Sequence, residues 1–169
     1  MKTEVAAPTE KSRPPVPASR ALLFLKYWLP VLLWMSVIFG FSTGAGSTRH
    51  TSRIIRPVLR WLVPDITDAT IAHVQTGIRK SAHLSEYALL ALLLWRARRK
   101  PFAGDPRPWS WRTPAFAFAI TALFAASDEF HQSFVPSREG RFRDVLIDTT
   151  GAALGLLALW SLGRWRKYW

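Results

Sequence analysis

Residues 21–41, ALLFLKYWLPVLLWMSVIFGF, decide the fold. They run 21 residues with a single charge, Lys26, near the start. A helix of about 20 apolar residues crosses the hydrocarbon core of a bilayer. A secretory signal has a shorter apolar core, about 7–15 residues. The small residues that follow (Ser42, Gly44, Ala45, Gly46, Ser47) would suit a peptidase, but the length of the run favours a retained first span. Residues 1–20 precede it with Pro8, Pro14, Pro15 and Pro17 among mixed charges. That composition predicts a disordered tail.

Three further apolar stretches follow. Ser81 to Ala97 is the second and ends in the basic residues Arg96, Arg98, Arg99 and Lys100. Pro114 to Phe134 is the third, with Thr113 placed to cap it and Pro114 at its first helical position. Asp144 to Gly163 is the fourth, and 164–169 forms a basic tail. Between spans one and two, 49–63 reads RHTSRIIRPVLRWLV. On a helix, Arg53, Arg56 and Arg60 share one face and Ile54, Ile55, Val58 and Leu62 largely another, as in a segment lying in the membrane interface. Pro57 and Pro64 oppose a helix, so a loop is the competing reading. The expected fold is all-α: a four-helix transmembrane bundle over 21–163 with an interfacial helix or loop after the first span.

Composition agrees. The 169-residue chain is 49% hydrophobic yet carries 23 Lys and Arg against 11 Asp and Glu, a net charge of +12. The basic residues sit in blocks beside apolar ones. That is the arrangement that orients membrane spans, and it makes nucleic-acid binding the weaker reading of the excess charge. With no cysteine, a disulfide-stapled secreted module is excluded. On four spans, the basic residues of both termini and of the 96–112 connection outnumber those of the opposite side. Both termini are therefore expected in the cytoplasm. Trp28, Trp95, Trp109, Trp111, Trp160, Trp165 and Trp169 fall at the same boundary, as an aromatic belt would.

Polar residues interrupt spans two to four. His83 and Glu86 are three apart, and Tyr87 is four beyond His83. Asp128, His131 and Gln132 follow i, i+3, i+4 spacing, and Asp144 and Asp148 are i, i+4. Each set makes one stripe on its helix. The helical rise places them about 15–30 Å from the cytoplasmic helix ends, with His83, Asp128 and Asp148 at about 20–24 Å. Ionised carboxylates at that depth cannot face lipid, so they must face one another, a cation or a wet cleft. Asp144 opens a helix, where the dipole favours an anion, while Asp128 and Glu129 approach a helix end, where it does not. Arg138, Arg141 and Arg143 are the nearest compensating charges in sequence. Glu129, about 100° from Asp128, is also placed to point toward headgroups. Gly151 and Gly155 make a small-xxx-small face suited to close helix contact.

RKSAHLSEYALLALLL (79–94) and ASDEFHQSFVPSREGRFRDVLIDTTGAALG (126–155) resemble the VanZ-like membrane proteins. The matching residues are Lys80, His83, Glu86 and Tyr87, then Asp128, Glu129, His131, Gln132, Phe134, Pro136, Arg138, Asp144, Asp148 and Gly151. Asp148 departs from the pattern, which more often has Asn there, and adds a negative charge. The resemblance implies a bacterial inner-membrane location. It also suggests a role in cell-envelope or glycopeptide (teicoplanin-type) tolerance.

Two functional readings meet at these residues. In the first, a site near the outer leaflet binds or modifies an anionic or lipid-linked envelope ligand. His83, Glu86, Asp128 and His131 are then candidate proton-transfer groups, and Lys80, Tyr87, Glu129, Gln132, Arg138, Asp144 and Asp148 candidate ligand contacts. Whether a reaction is catalysed is left open. No cofactor is expected; a divalent metal held by carboxylates and imidazoles is a competing use of the same residues. A proton or ion path is a further one. In the second reading the protein is a non-catalytic scaffold whose buried charges pair with one another. Beyond the lipid bilayer and such a ligand no partner is implied, and nothing in the chain sets an oligomeric state.

Overall fold

A computed structural model describes residues 20–42, 48–102, 105–135 and 140–169. The expected tail at 1–19 and the candidate contact Arg138 lie outside them. Among the described residues the chain is entirely helical, in the order α1 (Arg20–Gly40), α2 (Thr48–Leu62), α3 (Asp68–Arg99), α4 (Arg112–Gln132) and α5 (Phe142–Trp165). Helices α3, α4 and α5 pack on one another, α1 lies along α3, and α2 touches the start of α3.

Helices α1, α4 and α5 begin and end close to the expected spans. Helices α1 and α5 are long and apolar enough to cross a membrane. Helices α3 and α4 are also long enough, but they carry the polar residues of the site, which lower their apolarity. Four apolar crossings are therefore not established by these helices alone.

The largest difference is α3. It starts at Asp68, well before the expected Ser81, and runs 32 residues. Helicity here does not need apolarity. Thr67 Oγ1 accepts from the Thr70 N–H (3.2 Å), and Asp68 places an anion at the positive end of the dipole. The helix stops at Lys100, whose φ of 49° is left-handed, just before Pro101. Helix α2 forms despite Pro57, and Arg60 reaches Asp68 (3.0 Å), so the amphipathic helix replaces the loop alternative. Thr113 does not cap α4. That helix starts at Arg112, and Pro114 sits in its first turn, where its missing N–H leaves no bond unmade.

The α3–α5 contact is the most extensive in the bundle. A Cβ on Gly151 would collide with the backbone carbonyl of Leu84, and one on Gly155 would lie 3.1 Å from Ala88. The small-xxx-small face is thus used for helix contact. Tyr87, Leu90 and Leu94 of α3 are buried against Ala117 and Ala125 of α4, Ala152 and Leu156 of α5, and Val31 and Ile38 of α1. Trp34 Nε1 donates to the Glu86 carbonyl (2.9 Å) and ties α1 to α3.

At the C-terminal end of α3, Trp95 stacks on Trp109 and Trp169 packs tilted against both, with centroids 5.0–6.2 Å apart. Trp109 meets Trp111, and Trp111 meets Trp160. The 164–169 segment is therefore no free tail: the Tyr168 N–H bonds the Gly163 carbonyl (2.8 Å), and Trp169 folds back onto this cluster. Arg99 is buried among the rings and donates to the carbonyls of Arg107 (2.6 Å) and Pro108 (3.2 Å).

Candidate functional site

Toward the other end of α3, side chains from four helical segments converge in two adjoining groups. The first is centred on Asp128 of α4, which is 2% exposed. Its Oδ2 accepts from Ser42 Oγ (2.6 Å), Gln132 Nε2 (3.0 Å) and the Tyr87 hydroxyl (3.3 Å). Gln132 Nε2 also donates to Ser42 Oγ (3.1 Å). Gln132 lies one turn beyond Asp128, which is why both reach the same hydroxyl.

The second group joins α3, α4 and α5. His83 Nδ1 lies 3.1 Å from Asp148 Oδ1, and Asp148 is fully buried. Glu129 is 5% exposed, so it points inward rather than to headgroups. One ligand atom each from His83, Glu129 and Asp148 lie within 4.8 Å of one another. Glu129 Oε2 accepts from the backbone N–H of Arg141 (3.0 Å). Among the described residues, Glu129 is thus met by a main-chain donor just ahead of α5. Gly140 makes that approach possible, because a Cβ there would collide with the Glu129 carbonyl.

These acids are incompletely satisfied. Asp128 Oδ1, Glu129 Oε1 and Asp148 Oδ2 are buried with no hydrogen-bond partner among the described residues. Buried carboxylate oxygens without partners are uncommon and costly. Among the described residues, no Lys or Arg side chain forms an ion pair with Asp128, Glu129 or Asp148.

A cavity of about 450 Å³ is lined by Arg79, Lys80, Arg141 and Arg143, with Asp144 and Thr76 among the remaining walls. Arg79 Nη2 is 3.9 Å from Asp144 Oδ2, a loose pair. The cavity adjoins the second group through Arg141, whose backbone holds Glu129.

The expected site residues thus separate by position. His83, Glu129 and Asp148 meet, as do Asp128, Tyr87 and Gln132, while Lys80 and Asp144 line the basic cavity. His131 lies against Phe39 (ring centroids 4.7 Å). Glu86 offers its carbonyl to Trp34. Ser42 was not anticipated. It follows the first span directly, and its only sequence signal is a hydroxyl at the end of an apolar run. Arg79, Arg141 and Arg143 enter as cavity walls, which basic residues flanking the polar stripes could have suggested.

The loop between α3 and α4 carries a separate ionic clamp. Asp105 accepts from Arg107 Nε (2.7 Å), Nη2 (2.6 Å) and N–H (3.1 Å). The Arg107 side-chain bonds hold the Asp105 carboxyl down at about 2.

A family model described as VanZ/LLP1 matches residues 27–163, which include every described residue of both groups and of the cavity. No curated protein and no solved structure matches the chain.

Proposed function

The chain belongs to the VanZ/LLP1 family, and from that premise we propose that it is a multi-pass protein of the bacterial inner membrane that binds an anionic envelope ligand. In this reading α1, α3, α4 and α5 cross the bilayer with both termini in the cytoplasm. Large apolar side chains on the outside of the bundle support it, including Leu22, Leu33 and Phe39 on α1, Leu123 on α4, and Leu154 and Leu157 on α5. Lipid accommodates such a surface better than water does. At about 1.5 Å per residue, α3 is about 48 Å long and overruns a hydrocarbon core of about 30 Å. Its first turns then stand beyond the membrane, carrying Arg79 and Lys80 toward the outer headgroups.

The observation that carries the reading is the cavity walled by Arg79, Lys80, Arg141 and Arg143. Guanidinium and ammonium groups around one concavity suit a phosphate or carboxylate, and arginine adds bidentate geometry. A lipid-linked precursor or an anionic headgroup presents such a group at this depth. Held there, it would act in cell-envelope or glycopeptide tolerance of the teicoplanin type. A proton-transfer role for His83 and Glu129 would follow only if the ligand's reacting group reached the buried acids behind the cavity.

Native mass spectrometry of the detergent-purified chain with phosphatidylglycerol, and teicoplanin susceptibility of a host strain expressing it, test the proposal. Lys80→Gln and Arg143→Gln are expected to weaken lipid retention several-fold and to remove any tolerance without lowering protein level. Unchanged lipid retention in both variants would overturn it. The scaffold alternative draws on one loose pair, Arg79 with Asp144, and on His83 with Asp148. It predicts that these substitutions change protein level alone.

A further inference from the structure

The second buried group has a use that the anionic-ligand reading does not require. We propose that His83, Glu129 and Asp148 form a binding site for a divalent transition-metal cation, Zn²⁺ or Mn²⁺ in kind. Three observations carry this. The ligand atoms of one imidazole and two carboxylates lie within 4.8 Å of one another. Asp148 Oδ2 and Glu129 Oε1 are buried without a hydrogen-bond partner among the described residues, on side chains that are 0% and 5% exposed. Two acids are thereby brought together beside a single imidazole, with no Lys or Arg ion pair among the described residues to offset them. A doubly charged ion at their centre would satisfy the orphaned oxygens and offset both charges.

The geometry is near what such an ion demands. Ligands about 2.0 Å from a tetrahedral ion stand about 3.3 Å apart. His83 Nδ1 and Asp148 Oδ1 are already 3.1 Å apart. Glu129 is less free to move, because its Oε2 is anchored by the Arg141 N–H, leaving Oε1 to coordinate. That anchor is the kind of outer-shell bond that orients a ligating carboxylate. One nitrogen and two carboxylates favour Zn²⁺ or Mn²⁺ over Ca²⁺, which prefers six to eight oxygens. Only three protein ligands are present, so a fourth position would be open toward solvent or a bound anion.

The chain has no cysteine, so Co²⁺ absorption in the visible range would report nitrogen and oxygen ligands without thiolate bands. The full chain is purified in detergent on a tag free of histidine, stripped with a chelator, and reloaded with Zn²⁺, Mn²⁺ or Co²⁺ alone. Elemental analysis is expected to find one ion per chain, with Co²⁺ bands to match. Both signals are expected to fall at least tenfold in Glu129→Gln and Asp148→Asn. They are expected to persist in His73→Ala, an exposed histidine bonded to its own helix. Helix content and monodisperse elution establish folding; if Asp148→Asn fails there, Glu129→Gln alone decides. Metal at well under one ion per chain in the unaltered protein, or equal retention in Glu129→Gln, would overturn the site. Lys80→Gln and Arg143→Gln should keep the metal whatever their effect on lipid, so the two proposals fail separately.

Discussion

Gly151 of α5 rests directly on the backbone carbonyl of Leu84 of α3. Leu84 follows His83, and Gly151 lies three residues beyond Asp148, so this contact sets the distance between the two polar side chains. Gly151→Ala must push the helices apart. We expect it to destabilise the protein by about 1–3 kcal/mol and to lose metal as well. Gly155→Ala would place its Cβ 3.1 Å from Ala88, a tight contact that a small shift relieves, and should cost less. Thermal unfolding of the two variants in detergent checks the order; a smaller loss for Gly151→Ala would contradict this account of the helix contact.

Ser42→Ala tests the Asp128 group. Ser42 is buried and supplies the shortest bond to Asp128, joining the segment after α1 to α4. Its removal takes away a donor to a carboxyl group and one of the two acceptors of Gln132 Nε2. The expected loss is about 1–3 kcal/mol. Limited proteolysis should then cut α1 from the bundle faster than in the unaltered chain.

Asp105 makes a prediction in pH. Its folded value, about 2, lies below the ordinary 3.8, because Arg107 bonds its charged form. A lowered carboxyl contributes stability that is complete above the unfolded value and is lost as pH falls through the folded one. The loop clamp should therefore weaken between about pH 4 and pH 2. Trp109 stands nearby in sequence, and its emission should shift in that window. Asp105→Asn should abolish the step; if its acid profile matches that of the unaltered chain, the clamp is not the titrating device.

Removing Tyr168 and Trp169 should uncover Trp95 and Trp109, against which Trp169 packs. Partial burial of one indole suggests a cost of about 1–2 kcal/mol. Red-shifted tryptophan emission and a lower Tm are the readouts. No change in either would mean that the C-terminal fold-back is not formed in solution.

Sequence periodicity located α1, α4 and α5 to within about two residues, because their apolar lengths match what a bilayer or a bundle core demands. The second apolar span opens at Ser81, thirteen residues after α3 itself begins at Asp68. Hydropathy marks what must be buried, whereas the Thr67 cap and the Asp68 charge extend a helix through residues that need not be. Helical spacing also put His83, Asp128, His131 and Asp148 at related depths.

Depth along a helix follows from counting residues, since rise is uniform. Rotation about the axis and the distance between axes depend on which side chains interlock, and no count supplies them. Residues 21–41, the basic blocks and the small-residue face at Gly151 and Gly155 were therefore legible in the chain itself. Only the packed bundle decided that Glu129 turns to His83 and Asp148 while His131 packs on Phe39 of α1, and that a main-chain N–H from Arg141 meets the acid.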